Sequence, residues 1–306
     1  MQRAFFVASV FAAAALCGCA SGVVAPRPGA EAAGLKAEAA AAFLTRDYDA
    51  AFLKYNKALR LDRGLDLRVD EAMDLINMGR TLVAMGRFAD ALQYVKEAAA
   101  LAGEMRQDLL ISEAYATLAK TAYLSGDIEA ASQYIEKAVE TDRAIKNEDA
   151  AHLNIMAELL IESGRINDAE EVLMKTLKLS RRKEDNLELA NALRLTAGLN
   201  LRKGSPDASL KAYMEAYDVD SLLGEPVKIA LDLLGMAGAY GMKGEYREAL
   251  NHFQRAYMAA SSSGFHEGSL KGLEGLIQTH TRLGEFGLAG KYAGEKDALI
   301  KKIKGN

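Results

Sequence analysis

Seven short segments, each built around a turn, recur along this chain at an almost constant distance. Thr45-Arg46-Asp47-Tyr48-Asp49-Ala50-Ala51 aligns with Met85-Gly86-Arg87-Phe88-Ala89-Asp90-Ala91 and with Ser125-Gly126-Asp127-Ile128-Glu129-Ala130-Ala131. Segments 163–169, 203–209, 243–249 and 283–289 continue the series. Their second residues, Arg46, Gly86, Gly126, Gly164, Gly204, Gly244 and Gly284, are spaced 40, 40, 38, 40, 40 and 40. Self-similarity at such a period restricts the chain to an array of stacked units, each burying one face on its neighbours.

Each unit reads as a helical hairpin. The anchor glycine ends the first helix, where the backbone turns left-handed at little steric cost. Two residues on, Tyr48, Phe88, Ile128, Ile166, Tyr246 or Phe286 starts the second helix and plugs the hairpin. Pro206 takes that place in the fifth unit, where proline suits a first helical turn. Small residues five after the anchor (Ala51, Ala91, Ala131, Ala169, Ser209, Ala249, Ala289) and seven before it (Ala39, Gly79, Ala119, Ala157, Ala197, Ala237) let the two helices close. The seventh unit departs from this with Ile277 and Lys296, as expected of an end unit whose outer face has no neighbour. Gly64, Gly103, Asn147, Gly224-Glu225-Pro226 and Gly264 fall where the chain must turn between units, and the shortened 38-residue step is expected near Asn147.

The Gly-x-Tyr-x-x-Ala core resembles that of the tetratricopeptide repeat, a helix-turn-helix unit of 34 residues; the period of 40 implies longer helices and inter-unit turns. The resemblance implies an all-α fold, a right-handed α-solenoid of about seven hairpins over 35–306, with the first helix of each hairpin lining a concave groove. Groove positions then fall on Arg80, Lys120, Asn154, Arg194, Gly198, Leu201, Arg202, Leu234, Gly238 and Met242. Cations, amides and apolar anchors together suit an extended or helical peptide carrying some acidic groups. The alternative is that these are ordinary packing and solvent residues. Gly198 and Gly238 hold one groove position in successive units, and each costs about 1 kcal/mol against alanine inside a helix. They either hollow the groove for a bulky partner or tighten packing between units.

The start of the chain has a different character. Met1-Gln2-Arg3 precedes an apolar run from Ala4 to Leu16, then Cys17-Gly18-Cys19. This is the pattern of a secretory signal peptide, and it is too short to span a bilayer, which takes about 20 apolar residues. Leu16-Cys17-Gly18-Cys19 resembles the lipobox of bacterial lipoproteins, in which the bond before the cysteine is cut and the cysteine is lipidated. Carried over, residues 1–18 are a lipoprotein signal peptide, Cys19 is the lipidation site, and 19–34 is a flexible tether able to span about 50 Å. Ala20 in place of Asp implies the outer membrane, with the body facing the periplasm. The alternatives are an ordinary signal peptide or a buried N-terminal helix.

Composition narrows the function. With 38 basic and 42 acidic residues, a net charge of −4 and no basic stripe, a nucleic-acid partner is excluded. Both cysteines lie in the first nineteen residues, so the body has no disulfide framework. Seven units of about 40 fill nearly all of the 288 residues after residue 18, leaving no space for a catalytic domain. No phosphate-binding loop, zinc-protease helix or nucleophile elbow is present, and the four histidines are scattered. The run Ser180-Arg181-Arg182-Lys183-Glu184-Asp185 reads as a solvated helix end whose cations complement a helix C-terminus. We therefore expect no enzyme, cofactor or metal. The expected protein is a membrane-anchored scaffold or adaptor that binds envelope proteins through a peptide or helix in its groove. A small-ligand receptor, an enzyme accessory subunit and a structural spacer are the alternatives.

Overall fold

A computed structural model describes residues 28–304, and every regular element there is a helix. In chain order these are α1 (Pro28–Leu44), α2 (Tyr48–Gly64), α3 (Arg68–Ala84), α4 (Phe88–Met105), α5 (Asp108–Leu124), α6 (Ile128–Ala144) and α7 (Ala150–Glu162). They continue as α8 (Ile166–Lys183), α9 (Asn186–Arg202), α10 (Pro206–Leu223), α11 (Pro226–Lys243), α12 (Tyr246–Ser262), α13 (His266–Arg282) and α14 (Phe286–Lys304). Consecutive helices pack as antiparallel hairpins, giving about seven hairpins in a solenoid. The signal peptide, Cys19 and the start of the expected tether lie outside the described residues. The end of that tether is corrected: α1 begins at Pro28, so residues 28–34 are helical. Proline pre-sets the first helical turn, Glu31 faces the positive end of the dipole, and the alanines that follow favour helix.

Among the described residues thirteen take left-handed backbone, and they reveal a shorter period than the glycines alone suggest. They are Arg46, Asp66, Gly86, Arg106, Gly126, Lys146, Gly164, Glu184, Gly204, Gly224, Gly244, Gly264 and Gly284. Each lies 20 residues from the next, except for a step of 18 from Lys146 to Gly164. The elementary unit is thus one helix plus one tight turn, and hairpin turns and inter-hairpin turns close with the same bonds. Gly126 N–H donates to the Tyr123 carbonyl at 3.0 Å and Asp127 N–H to Ala122 at 2.9 Å; Arg106 and Gln107 repeat this on Gly103 and Ala102 at 3.1 and 3.0 Å. Gly64 and Gly103 are therefore not the turn residues: Gly64 ends α2 and Gly103 lies within α4. The shortened step falls as expected beside Asn147, where α7 has 13 residues against 17 to 19 in the other helices and opens on an Asp149 cap.

The helix starts follow the plug residues, since Tyr48, Phe88, Ile128, Ile166, Pro206, Tyr246 and Phe286 are each the first residue of their helix. The small residues paired across each hairpin are buried, and at Gly79 an added Cβ would lie 2.2 Å from the Val95 side chain. From α3 to α13 each odd-numbered helix also packs on the next odd-numbered one, while no even-numbered pair does so comparably. The odd helices form the tighter, inner layer of the curve.

Between hairpins the buried register alternates in chemistry. Three positions meet there: ten before an anchor, sixteen after it and twelve before the next. In order they hold Lys36/Asp62/Asp74, Ile76/Ala102/Ala114, Ala116/Asp142/His152, Asn154/Ser180/Ala192, Arg194/Asp220/Asp232 and Leu234/Ala260/Gly272. Charged sets alternate with small or uncharged ones. Lys36 Nζ lies 2.9 Å from Asp62, Arg194 Nε lies 2.8 Å from Asp232 while its other arm binds Asp220, and His152 Nδ1 lies 2.8 Å from Asp142. Asp62, Asp74, Asp220 and Asp232 are fully buried. Burial, opposed by Lys36 and reinforced by Asp62, raises Asp74 to about 8; burial, opposed by Arg194 and reinforced by Asp220, raises Asp232 to about 7. Asp62 Oδ1, both Asp74 carboxyl oxygens and Asp220 Oδ1 have no hydrogen-bond donor, and the raised Asp74 and Asp232 carboxyls are the neighbouring groups placed to supply one. In the Arg194 set one cation faces two carboxyls; Lys36 faces Asp62 and also, from outside the register, Asp70 at 2.6 Å; and His152 faces Asp142.

Candidate inner groove

The inner face is built by residues ten, six and thirteen before each anchor, a spacing of three to four that holds them on one side of every odd helix. Lys120, Asn154 and Arg194 come together there, with Glu158, Glu188, Asn191 and Lys228, around a cleft of about 420 Å³ between α5, α7, α9 and α11. Most of its polar groups are already engaged. Lys120 Nζ pairs with Glu158 at 3.0 Å and stands over the Tyr123 ring. Asn154 is 6 % exposed and its Nδ2 donates to the Glu188 carbonyl and carboxylate at 3.0 and 2.8 Å. Its Oδ1 and the Ser180 hydroxyl both lack partners and occupy the register of Arg194 and Asp220 one hairpin later.

Arg194 is not free to bind a ligand. Its guanidinium is divided between Asp220, Asp232 and Asn191. The exception in the cleft is Lys228, which sequence reasoning missed because it lies six residues, nearly two helical turns, before Leu234, the first expected groove residue of its unit. Its Nζ donates to Asn191 Oδ1 at 2.8 Å, the same oxygen that accepts from Arg194 at 3.1 Å. Among the described residues no carboxylate lies within 4 Å of it. Burial, reinforced by Arg194, pulls the Lys228 ammonium below its ordinary range.

The remaining expected groove residues separate into two places. Arg80 pairs with Glu113 beside a second cleft of about 460 Å³, walled by Val69, Met73, Ile76 and Leu109 and ending at His152. Gly198, Leu201, Leu234, Gly238 and Met242 lie along α9 and α11, with Leu201 4.0 Å from the place of a Gly238 Cβ. An added Cβ at Gly198 would meet only the Tyr213 hydroxyl at 3.7 Å, an ordinary contact. Packing therefore does not demand glycine at either position. It does at Gly235, whose Cβ would fall 2.1 Å from the Tyr213 ring. Arg202 turns back to the preceding hairpin, donating to the Ile161 carbonyl at 3.1 Å and pairing with Glu162.

Residues 70–144 and 148–221 match the family model of the tetratricopeptide repeat. No curated protein sequence matches the chain. Among solved structures, a Rap protein complexed with competence and sporulation factor is 15% identical with a TM-score of 0.67, covering 89% of this chain and 77% of that one. The pilF protein of Pseudomonas aeruginosa is 17% identical with a TM-score of 0.56, covering 76% and 93%. Aspartyl phosphate phosphatase F of Bacillus subtilis is 14% identical with a TM-score of 0.58, covering 94% and 78%. At these identities the likeness is one of fold. Residues 70–144 and 148–221 are thus tetratricopeptide repeats, a kind of unit that generally serves as a scaffold for other proteins.

Proposed function

We propose that this chain is a non-catalytic, membrane-anchored scaffold of the bacterial cell envelope whose inner groove holds a peptide or helix of partner proteins. The observation that supports it best is Lys228, a half-buried ammonium on the inner face with no carboxylate of its own. A partner carboxylate placed there recovers the charge-assisted bond that the fold leaves unmade. Anchoring rests on Leu16-Cys17-Gly18-Cys19, with lipid on Cys19 holding the body at the outer membrane on its periplasmic side.

The experiment is photocrosslinking in intact cells, with the crosslinker at Leu231 in the cleft or at Met174 on the exposed face of α8. Partner proteins captured at Leu231 and not at Met174 are the expected result. Equal capture at both positions, or none at either, refutes the groove. In parallel, Cys19→Ser should abolish lipid labelling and release the body from the outer-membrane fraction. A variant that still carries lipid and still fractionates there refutes the anchor.

A further inference from the structure

The glutamates of two ion pairs at the second hairpin are replaced by cations in the fourth. Around Gly86, Arg68 eighteen residues before it pairs with Glu104 eighteen after it, and Arg63 of the first hairpin pairs with Glu97, eleven after it. Around Gly164 the places of Glu104 and Glu97 hold Arg182 and Lys175 and the place of Arg63 holds Arg143, while Lys146, the left-handed turn residue equivalent to Asp66, adds a further cation. Both glutamates have become cations. Arg63 also bonds Glu71 at 2.7 Å, whereas the counterpart of Glu71 is Asp149, which is occupied in capping α7.

Beyond the C-terminal ends of α6 and α8, whose last turns carry Arg143 and Arg182, little nearby offsets this charge. Glu148, the one carboxylate of the cleft formed here, is taken by Lys175, and its backbone carbonyl accepts from Lys183 Nζ at 2.5 Å. Among the described residues Arg143, Lys146 and Arg182 have no carboxylate within 4 Å, and all three are exposed. They converge on a cleft of about 400 Å³ at the late start of α7. The fold does not require this, since Glu97 and Glu104 stand in the places of Lys175 and Arg182 in the second hairpin. Like charges set opposite one another oppose folding by amounts similar to what ion pairs contribute. In a chain of net charge −4, such a concentration of positive charge runs against the overall trend.

We propose that this cleft docks an acidic segment of a partner protein, with adjacent carboxylates held by Arg143, Lys146 and Arg182. Two guanidinium forks and one flexible ammonium suit planar carboxylates bound side by side. The surface shares no residue with the inner groove, so it stands or falls separately from it.

The test is fluorescence anisotropy of the full chain with a fluorescein-labelled hexaglutamate peptide, with hexaglutamine and hexalysine as controls. Hexaglutamate alone should bind, more weakly as salt rises. Arg182→Glu restores the carboxylate that Glu104 supplies in the second hairpin, and should weaken binding tenfold or more without lowering the melting temperature. Lys211→Glu, an equal charge change on exposed α10, should leave binding unchanged. Absence of hexaglutamate binding, equal binding by Arg182→Glu, or equal loss in Lys211→Glu overturns the proposal. Inorganic phosphate and phosphatidylglycerol vesicles form the other arms. If either displaces hexaglutamate in an Arg182-dependent way at lower concentration than unlabelled peptide, the cleft is a phosphate site and the acidic-segment proposal falls.

Discussion

Removing one member of a charged inter-hairpin set should cost far more than removing all three. In Arg194→Leu the fully buried Asp220 and Asp232 keep at most one shared proton and lose the cation that balances the remaining charge. Leaving a buried charge uncompensated costs about 3–5 kcal/mol. The triple variant Arg194→Leu, Asp220→Ala, Asp232→Ala instead recreates, with one extra methyl, the Leu234/Ala260/Gly272 set that the chain already uses. Replacing a buried ionic set by packed apolar groups is neutral or stabilising by about 1–4 kcal/mol. Three substitutions should therefore be tolerated where one is not. Urea unfolding followed by helical circular dichroism gives the ranking, and amide exchange in α9 to α11 localises it. The pH dependence has a fixed sign. Asp232 titrates near 7 when folded and near 4 when unfolded, so the folded state binds the extra proton between those values. Its stability contribution is complete below about pH 4 and is lost as pH rises through 7, at no more than about 1.4 kcal/mol per pH unit. The triple variant lacks this slope. Equal stability of the single and triple variants, or an unchanged slope, would refute the charge balance.

Two further outcomes follow from the glycines. Gly198→Ala and Gly238→Ala should each stabilise the fold by up to about 1 kcal/mol in urea unfolding, because a helix former enters with only ordinary van der Waals contact, 3.7 Å from Tyr213 and 4.0 Å from Leu201. Gly235→Ala should destabilise it by about 1–3 kcal/mol, since its Cβ would enter the Tyr213 ring. In the backbone, Gly126→Ala should cost about 1–2 kcal/mol at a φ of +90°.

The sequence made the hairpins legible because seven anchors recur with small residues at fixed offsets, a pattern that packing against a close neighbour forces on every copy. The half-period of 20 was hidden because five of the thirteen left-handed residues, Arg46, Asp66, Arg106, Lys146 and Glu184, are not glycine. Those turns close through their backbone bonds, so the side chain is free to vary. Arg194 reads from sequence as an open groove cation, yet its partners are 26 and 38 residues away and become visible only once the hairpins stack. The alternation of charged and uncharged sets escaped for a similar reason. Each set draws one residue from the start of a hairpin, one from its end and one from the next, so no single aligned unit displays it.

That alternation makes two hairpins, and not one, the unit that can be removed without leaving a buried charge unmatched. Deleting residues 204–243, one hairpin length, brings Arg194 against Ala260 and Gly272, with neither aspartate present. Deleting 164–243, two hairpin lengths, brings Asn154 against the same pair and strands no charge. In a solenoid whose stability is a sum of units and nearest-neighbour contacts, the longer product should be the more stable. The buried register reverses this: the shorter product should unfold at the higher denaturant concentration, because the longer one contains an arginine that must either stay buried unpaired or pull its hairpin contact open to reach water. Arg194→Leu placed in the one-hairpin deletion converts the mismatched set to Leu/Ala/Gly, the arrangement found around Leu234, and should restore the order expected from length. If the one-hairpin deletion is already the more stable protein, and Arg194→Leu leaves it unchanged, the buried sets carry no register information and the alternation is incidental to assembly.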